Sequence, residues 1–144
     1  MAVKPIPEGY HSVTPYLIVQ DAGRLLDFVK QVFEAEETFR MDGPGESVRH
    51  AEFRIGDSVV MTADATPEFP PMPATIHLYV NDADAVYVKA LRAGATSTQE
   101  PADQFYGDRT AGVKDRFGNV WYIATHQEDV SPEELARRAK ASSG

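Results

Sequence analysis

Cysteine is absent from these 144 residues. Disulfides, thiolate metal sites and cysteine nucleophiles are excluded together, and the absence fits a cytoplasmic protein. Positive charge is scarce: 14 Lys and Arg stand against 22 Asp and Glu, for a net charge of −8. A nucleic-acid partner needs a basic face, so the balance argues against one. No apolar run approaches the roughly 20 residues of a membrane span, and the opening MAVKPIPEGYHS lacks the apolar core of a signal peptide. Neither a Gly-x-Ser-x-Gly elbow nor a phosphate-cradling loop occurs, so nucleophilic catalysis has no supporting motif. What is present, 42% hydrophobic and 25% charged residues, is ordinary for a globular chain. The length suits a single domain, 1–144, or two half-domains sharing one core.

The chain is organised around Arg116-Phe117-Gly118-Asn119-Val120-Trp121-Tyr122-Ile123 and a weaker twin, Arg54-Ile55-Gly56-Asp57-Ser58-Val59-Val60-Met61. In both, a Gly-Asn or Gly-Asp turn signal leads into an apolar run, the pattern of a hairpin entering a strand. The repeat extends outward. Residues 13–20 and 75–80 are β-branched and aromatic strands, and Asp21 and Asp82 are N-caps for helices over residues 22–35 and 83–93, the second ended by Gly94. Strands follow at 38–41, 48–55 and 58–63, then at 96–100, 110–114 and 120–125, with a loop over 101–108. Residues 48–55 alternate strictly: Ala51, Phe53 and Ile55 fall on one face, His50, Glu52 and Arg54 on the other. The alignment sets Leu17 on Leu78, Val19 on Val80, Asp21 on Asp82 and Gly56 on Gly118, with one residue of drift. Two β-α-β-β-β modules result, 12–63 and 75–126. A proline-rich linker at 64–74 joins them, and a helix at 131–140 starts with Pro132 and acidic residues in its first turn.

Tandem β-α-β-β-β units with a strand-Asp-helix opening and a closing Asp-x-x-Gly-Asn strand resemble the vicinal oxygen chelate superfamily of glyoxalase I, bleomycin-resistance proteins and extradiol dioxygenases. YGDRTAGVKDRFGNVWYI (106–123) is similar to the bleomycin-resistance signature. HAEFRIGDSVVM, IHLYVNDADAV and DQFYGDR look like the PhnB-like subgroup. The resemblance implies an α+β fold whose sheets curl around a shared cleft, a homodimer, and one divalent ion in the members that catalyse. It places the metal ligands at Thr14 and Thr75, seven residues before each capping Asp, and at Val60 and Tyr122, four after each turn glycine. Two Thr, a Val and a Tyr do not make a divalent site, which wants imidazole or carboxylate.

Strand period sets Tyr16, His50, Glu52, His77, Tyr79 and Tyr122 on the polar faces, where they can line a ligand cavity. His50, Glu52 and His77 offer a displaced two-His-one-carboxylate metal set, against the plainer reading of polar groups bonded to one another. Glu52 beside an imidazole is also the candidate base. Tyr106 joins the cavity list, while Trp121, out of phase with Tyr122, reads as core. Arg109 can clamp an anionic ligand group or pair with Asp103 or Asp108. His126 reads as a surface or cap residue. Two function classes stay open: a metal-free binding protein for a small aromatic or amphipathic molecule, and a metal-dependent lyase, isomerase or dioxygenase.

Overall fold

The computed structural model describes residues 2–142, which fall into two compact units divided between Ala74 and Thr75. The first contains β1 (Tyr16–Val19), α1 (Ala22–Phe33), β2 (Glu36–Asp42), β3 (Val48–Ile55) and β4 (Ser58–Asp64). The second contains β5 (Thr75–Tyr79), α2 (Ala83–Arg92), β6 (Thr96–Asp103), β7 (Asp108–Lys114), β8 (Val120–His126) and α3 (Pro132–Ser142). The sheet orders are β1-β4-β3-β2 and β5-β8-β7-β6. In each sheet the first and last strands of the unit pair in parallel and the other pairs are antiparallel. The class is α+β, with two four-stranded mixed sheets and three helices.

Each crossover helix is anchored twice. The Asp21 side chain accepts from the Arg24 amide and Asp82 from the Ala85 amide, so both capping residues do what their chemistry predicts. A second group on the last strand reaches each helix start: Asp64 accepts from the Ala22 amide at 2.7 Å, and the Thr125 hydroxyl from the Ala83 amide at 2.9 Å. Leu25, Leu26, Val29 and Val32 of α1 are fully buried. At roughly 1.5–3 kcal/mol for each such side chain, that apolar face holds α1 on its sheet. Leu17, Val19, Ala51, Phe53 and Val60 form the helix side of the first sheet, and Ala111, Val113, Trp121 and Ile123 that of the second.

Two expected strand bounds are corrected. The strand at 13–20 shortens to Tyr16–Val19, because Pro15 has no amide to donate. The segment 64–74 makes one contact of its own: the Met72 amide donates to the Ile18 carbonyl at 3.1 Å, which lays it along the edge of β1. β6 runs on through Pro101 to Asp103, where a loop was expected. It is an edge strand with a register shift between Gln99 and Ala102, a position that tolerates proline.

A third correction concerns the face of β4. The first hairpin turns through Gly56 and Asp57 alone, with Ile55 opposite Ser58, whereas the second leaves Lys114 and Val120 paired around a loop over 115–119. Setting Gly56 on Gly118 therefore slips β4 by one residue against β8. The sheet register pairs Tyr16 with Met61 and His77 with Tyr122, so Met61 is the counterpart of Tyr122. Val60 points to the helix side and is 5% exposed. A one-residue slip exchanges the two faces of a strand.

Candidate functional site

The helix-free face of the first sheet carries a hydrogen-bonded chain. The Tyr10 hydroxyl donates to Glu52 Oε1, Glu52 Oε2 pairs with His50 Nε2 at 2.8 Å, and His50 Nδ1 meets the Tyr16 hydroxyl at 2.9 Å. The lead-in segment, β3 and β1 each contribute, and the period-2 spacing of His50 and Glu52 lets their side chains meet on one face. The Glu52 and His50 side chains are 13% and 24% exposed, while Tyr16, Phe39 and Met41 are each 46% exposed. The Tyr16 and Phe39 rings lie 5.6 and 6.1 Å from the imidazole. Burial raises the Tyr16 phenol above its ordinary range.

The second sheet carries a separate chain on the corresponding face. The Tyr79 hydroxyl donates to Asp108 Oδ2 at 3.1 Å, and Asp108 Oδ1 and Asp129 Oδ1 each take one nitrogen of His126 at 2.7 Å. Asp108 is buried at 4% exposure. Its hydrogen bond raises the Tyr79 phenol, with burial adding to the effect. His77 lies 5.2 Å from the Tyr79 ring and 6.3 Å from that of Tyr122. Gly112 stands opposite Tyr122, and the space a Cβ would need there is held by the Thr98 hydroxyl and the Tyr122 ring.

Sequence reasoning anticipated Tyr16, His50, Glu52, His77, Tyr79 and Tyr122 on these faces. It missed Tyr10, and it read His126 only as a surface or cap residue. The Asp108–His126 pair was within reach, since counting outward from the 115–119 turn sets those two residues opposite each other. Tyr10 carries no such signal, because its contact with Glu52 spans 42 positions. Tyr106 sits in the loop before β7, half-exposed, its ring against Phe105 at 5.2 Å. Trp121 is fully buried. Arg109 lies on the opposite, helix face, where it forks onto Asp84 at 2.8 and 3.1 Å and reaches Asp103 at 3.2 Å. Its guanidinium clamps two carboxylates of its own unit and stands apart from His77, Tyr79 and Tyr122.

His126 gives a pH signature. The hydrogen bond to Asp129, followed by that to Asp108, raises its imidazole above the ordinary range, so folding favours the imidazolium. The stabilisation is full below the unfolded value of about 6.5 and is lost as pH rises through the higher folded value. The melting temperature of the wild type should therefore fall more steeply across and above neutrality than that of His126→Gln. Parallel melting-versus-pH curves for the two proteins would show that the bridge carries no linked proton.

The sequence profile of the Glyoxalase/Bleomycin resistance protein/Dioxygenase superfamily matches residues 9–123. The chain belongs to this superfamily. Within it, an uncharacterized protein of Mycobacterium bovis is 35% identical over 144 residues, covering 92% of this chain and 94% of that one. An uncharacterized protein of Mycobacterium tuberculosis matches at the same identity over 92% of this chain and 84% of its own. Among solved structures, TioX from Micromonospora sp. superposes with a TM-score of 0.69 at 24% identity, over 81% of this chain and 98% of that one. An Arabidopsis thaliana gene product gives 0.66 at 26%, over 80% and 98%. The fosfomycin resistance protein FosX from Mesorhizobium loti gives 0.61 at 19%, over 88% and 97%. The fold is shared across all three.

The superfamily's divalent ion does not fit the donors present. With the register corrected, the positions that the resemblance assigns to it hold Thr14, Met61, Thr75 and Tyr122, hydroxyls and a thioether in place of imidazole and carboxylate. His50 and Glu52 adjoin in the first unit and His77 belongs to the second. Among the described residues no three His, Asp or Glu side chains come together as a metal-holding group. Both oxygens of Glu52, the candidate base, accept a hydrogen bond, one from Tyr10 and the other from His50. No described helix is long and apolar enough to cross a membrane.

Proposed function

We propose that this superfamily member binds a small aromatic or amphipathic molecule without a divalent metal. The observation that carries the reading is the substitution at the metal positions, where Thr14, Met61, Thr75 and Tyr122 offer no strong ligand for a divalent ion. Support comes from the half-exposed rings and thioethers on the helix-free faces, Tyr16, Phe39 and Met41 on one and Tyr79 on the other. Flat apolar groups backed by a few fixed polar atoms suit a flat ligand. Cytoplasmic residence and a homodimer belong to the same reading. The dimer is checked by sedimentation, with twice the 15.9 kDa chain mass as the expected value.

The test is elemental analysis of tag-free protein, followed by thermal shift with Ni, Mn, Fe(II), Zn and EDTA and then a screen of aromatic compounds. The expected result is metal well below one equivalent, a melt indifferent to EDTA, and stabilisation by at least one aromatic compound. One equivalent of metal with an EDTA-sensitive melt would overturn the metal-free reading in favour of lyase or dioxygenase chemistry.

A further inference from the structure

The two hydrogen-bonded chains share a property that neither residue type nor position reveals: the direction in which their protons point. A carboxylate accepts and does not donate, so Glu52 Oε2 requires the hydrogen on His50 Nε2. In the neutral ring Nδ1 is then bare and takes the Tyr16 hydroxyl hydrogen at 2.9 Å. Tyr10, donating to the other Glu52 oxygen, fixes the carboxylate from behind. In the second unit the Tyr79 hydroxyl hydrogen is committed in the same way, to Asp108 Oδ2, and Asp108 is steadied by His126 through its other oxygen. Each unit thus presents one phenol on its first strand, 46% exposed for Tyr16 and 62% for Tyr79, with its hydrogen turned inward. What faces outward in both is the oxygen lone pair.

We infer that a ligand held on either helix-free face carries an O–H or N–H donor on a flat apolar body, and that the phenol oxygen of that face, Tyr16 in the first unit and Tyr79 in the second, selects it by accepting from that donor. The inference rests on the binding reading above and narrows it to hydroxylated or aminated aromatics. An ether or a ring ketone of the same shape accepts but cannot donate, so it meets a lone pair with a lone pair. The raised pKa of the Tyr79 phenol agrees, since its hydrogen is kept in the bond to Asp108, with burial adding to the effect.

The probes are 2-naphthol and 2-methoxynaphthalene, which share a ring system and differ in whether the oxygen can donate. They are titrated by their own fluorescence at about pH 8, above the ordinary imidazole range. The wild type is expected to bind the naphthol about 3- to 10-fold more tightly, the ratio one net hydrogen bond supplies. In a Tyr16→Phe/Tyr79→Phe double variant the naphthol should fall to the level of its ether while the ether stays where it was. The single variants serve if circular dichroism shows the double variant misfolded. Equal binding of both probes by the wild type overturns the inference and leaves the binding reading intact. Discrimination that survives the loss of both hydroxyls overturns it too. Absence of binding by either probe removes the binding reading itself, and the inference with it.

Discussion

Asp115→Ala should lower stability by about 3–5 kcal/mol. The carboxylate closes the turn before β8 by accepting from four donors: the Phe117 and Asn119 amides, both at 2.9 Å, Asn119 Nδ2 at 3.0 Å and Trp121 Nε1 at 2.8 Å. Asp115 is 4% exposed, and Asn119 and Trp121 are fully buried. Each buried donor stripped of its acceptor costs about 1–3 kcal/mol, and the half-exposed Phe117 amide recovers part of its loss from water. Asp115→Asn should do little better, because it keeps one acceptor oxygen and turns an NH2 toward the remaining donors. The check is urea denaturation followed by fluorescence of Trp121, the one tryptophan in the chain. An unchanged midpoint for Asp115→Ala would mean that water replaces the carboxylate in the core. The consequence reaches the site, because this turn sets the register that brings Tyr122 beside His77 and His126 opposite Asp108.

The same turn marks how far the sequence could be read. Helix caps, strand alternation and the repeat were legible because each is a local rule: Asp21 and Asp82 cap, Ala51 and Phe53 face inward, His50 and Glu52 face outward. The β4 face was not, because it depends on how many residues a hairpin spends in turning. Gly56-Asp57 and Asp115-to-Asn119 look alike as motifs and differ in length, so a glycine-to-glycine alignment placed Val60 where Met61 stands. Arg109 was legible in part, since pairing with Asp103 was one of its two readings, while its main partner Asp84 was not. Its residue type suggested anion binding, but its parity in β7 sets it with Ala111 and Val113 toward α2, where Asp84 waits. Tyr10 could not be found at all, since nothing local ties the lead-in to β3. Proton direction is a further step removed, because it follows only from which atoms adjoin a carboxylate.

The loop that carries Phe105 and Tyr106 supplies the second large effect. Gly107→Ala should cost about 2–4 kcal/mol, from two sources that can be separated. Gly107 has φ +98°, a conformation in which an L side chain is strained by roughly 1–2 kcal/mol. A Cβ there would also run into the Glu128 carbonyl oxygen, with Glu128 Cγ at 3.1 Å and Val130 Cγ2 at 3.2 Å. The backbone has little room to retreat, because the Gly107 carbonyl accepts from the Gln127 and Glu128 amides at 2.8 and 3.1 Å and so ties the loop to the segment after β8. Gly94→Ala is the control: its φ is +103°, close to that of Gly107, but nothing lies within 4 Å of its would-be Cβ, so it should lose only the conformational part. Comparison of the two by chemical denaturation isolates the contact. Equal losses would show that the segment after β8 yields to the extra methyl. A larger loss at Gly107 should be accompanied by weaker aromatic binding, because the strand that begins at Asp108 takes its register from this junction, and Asp108 holds the Tyr79 hydroxyl.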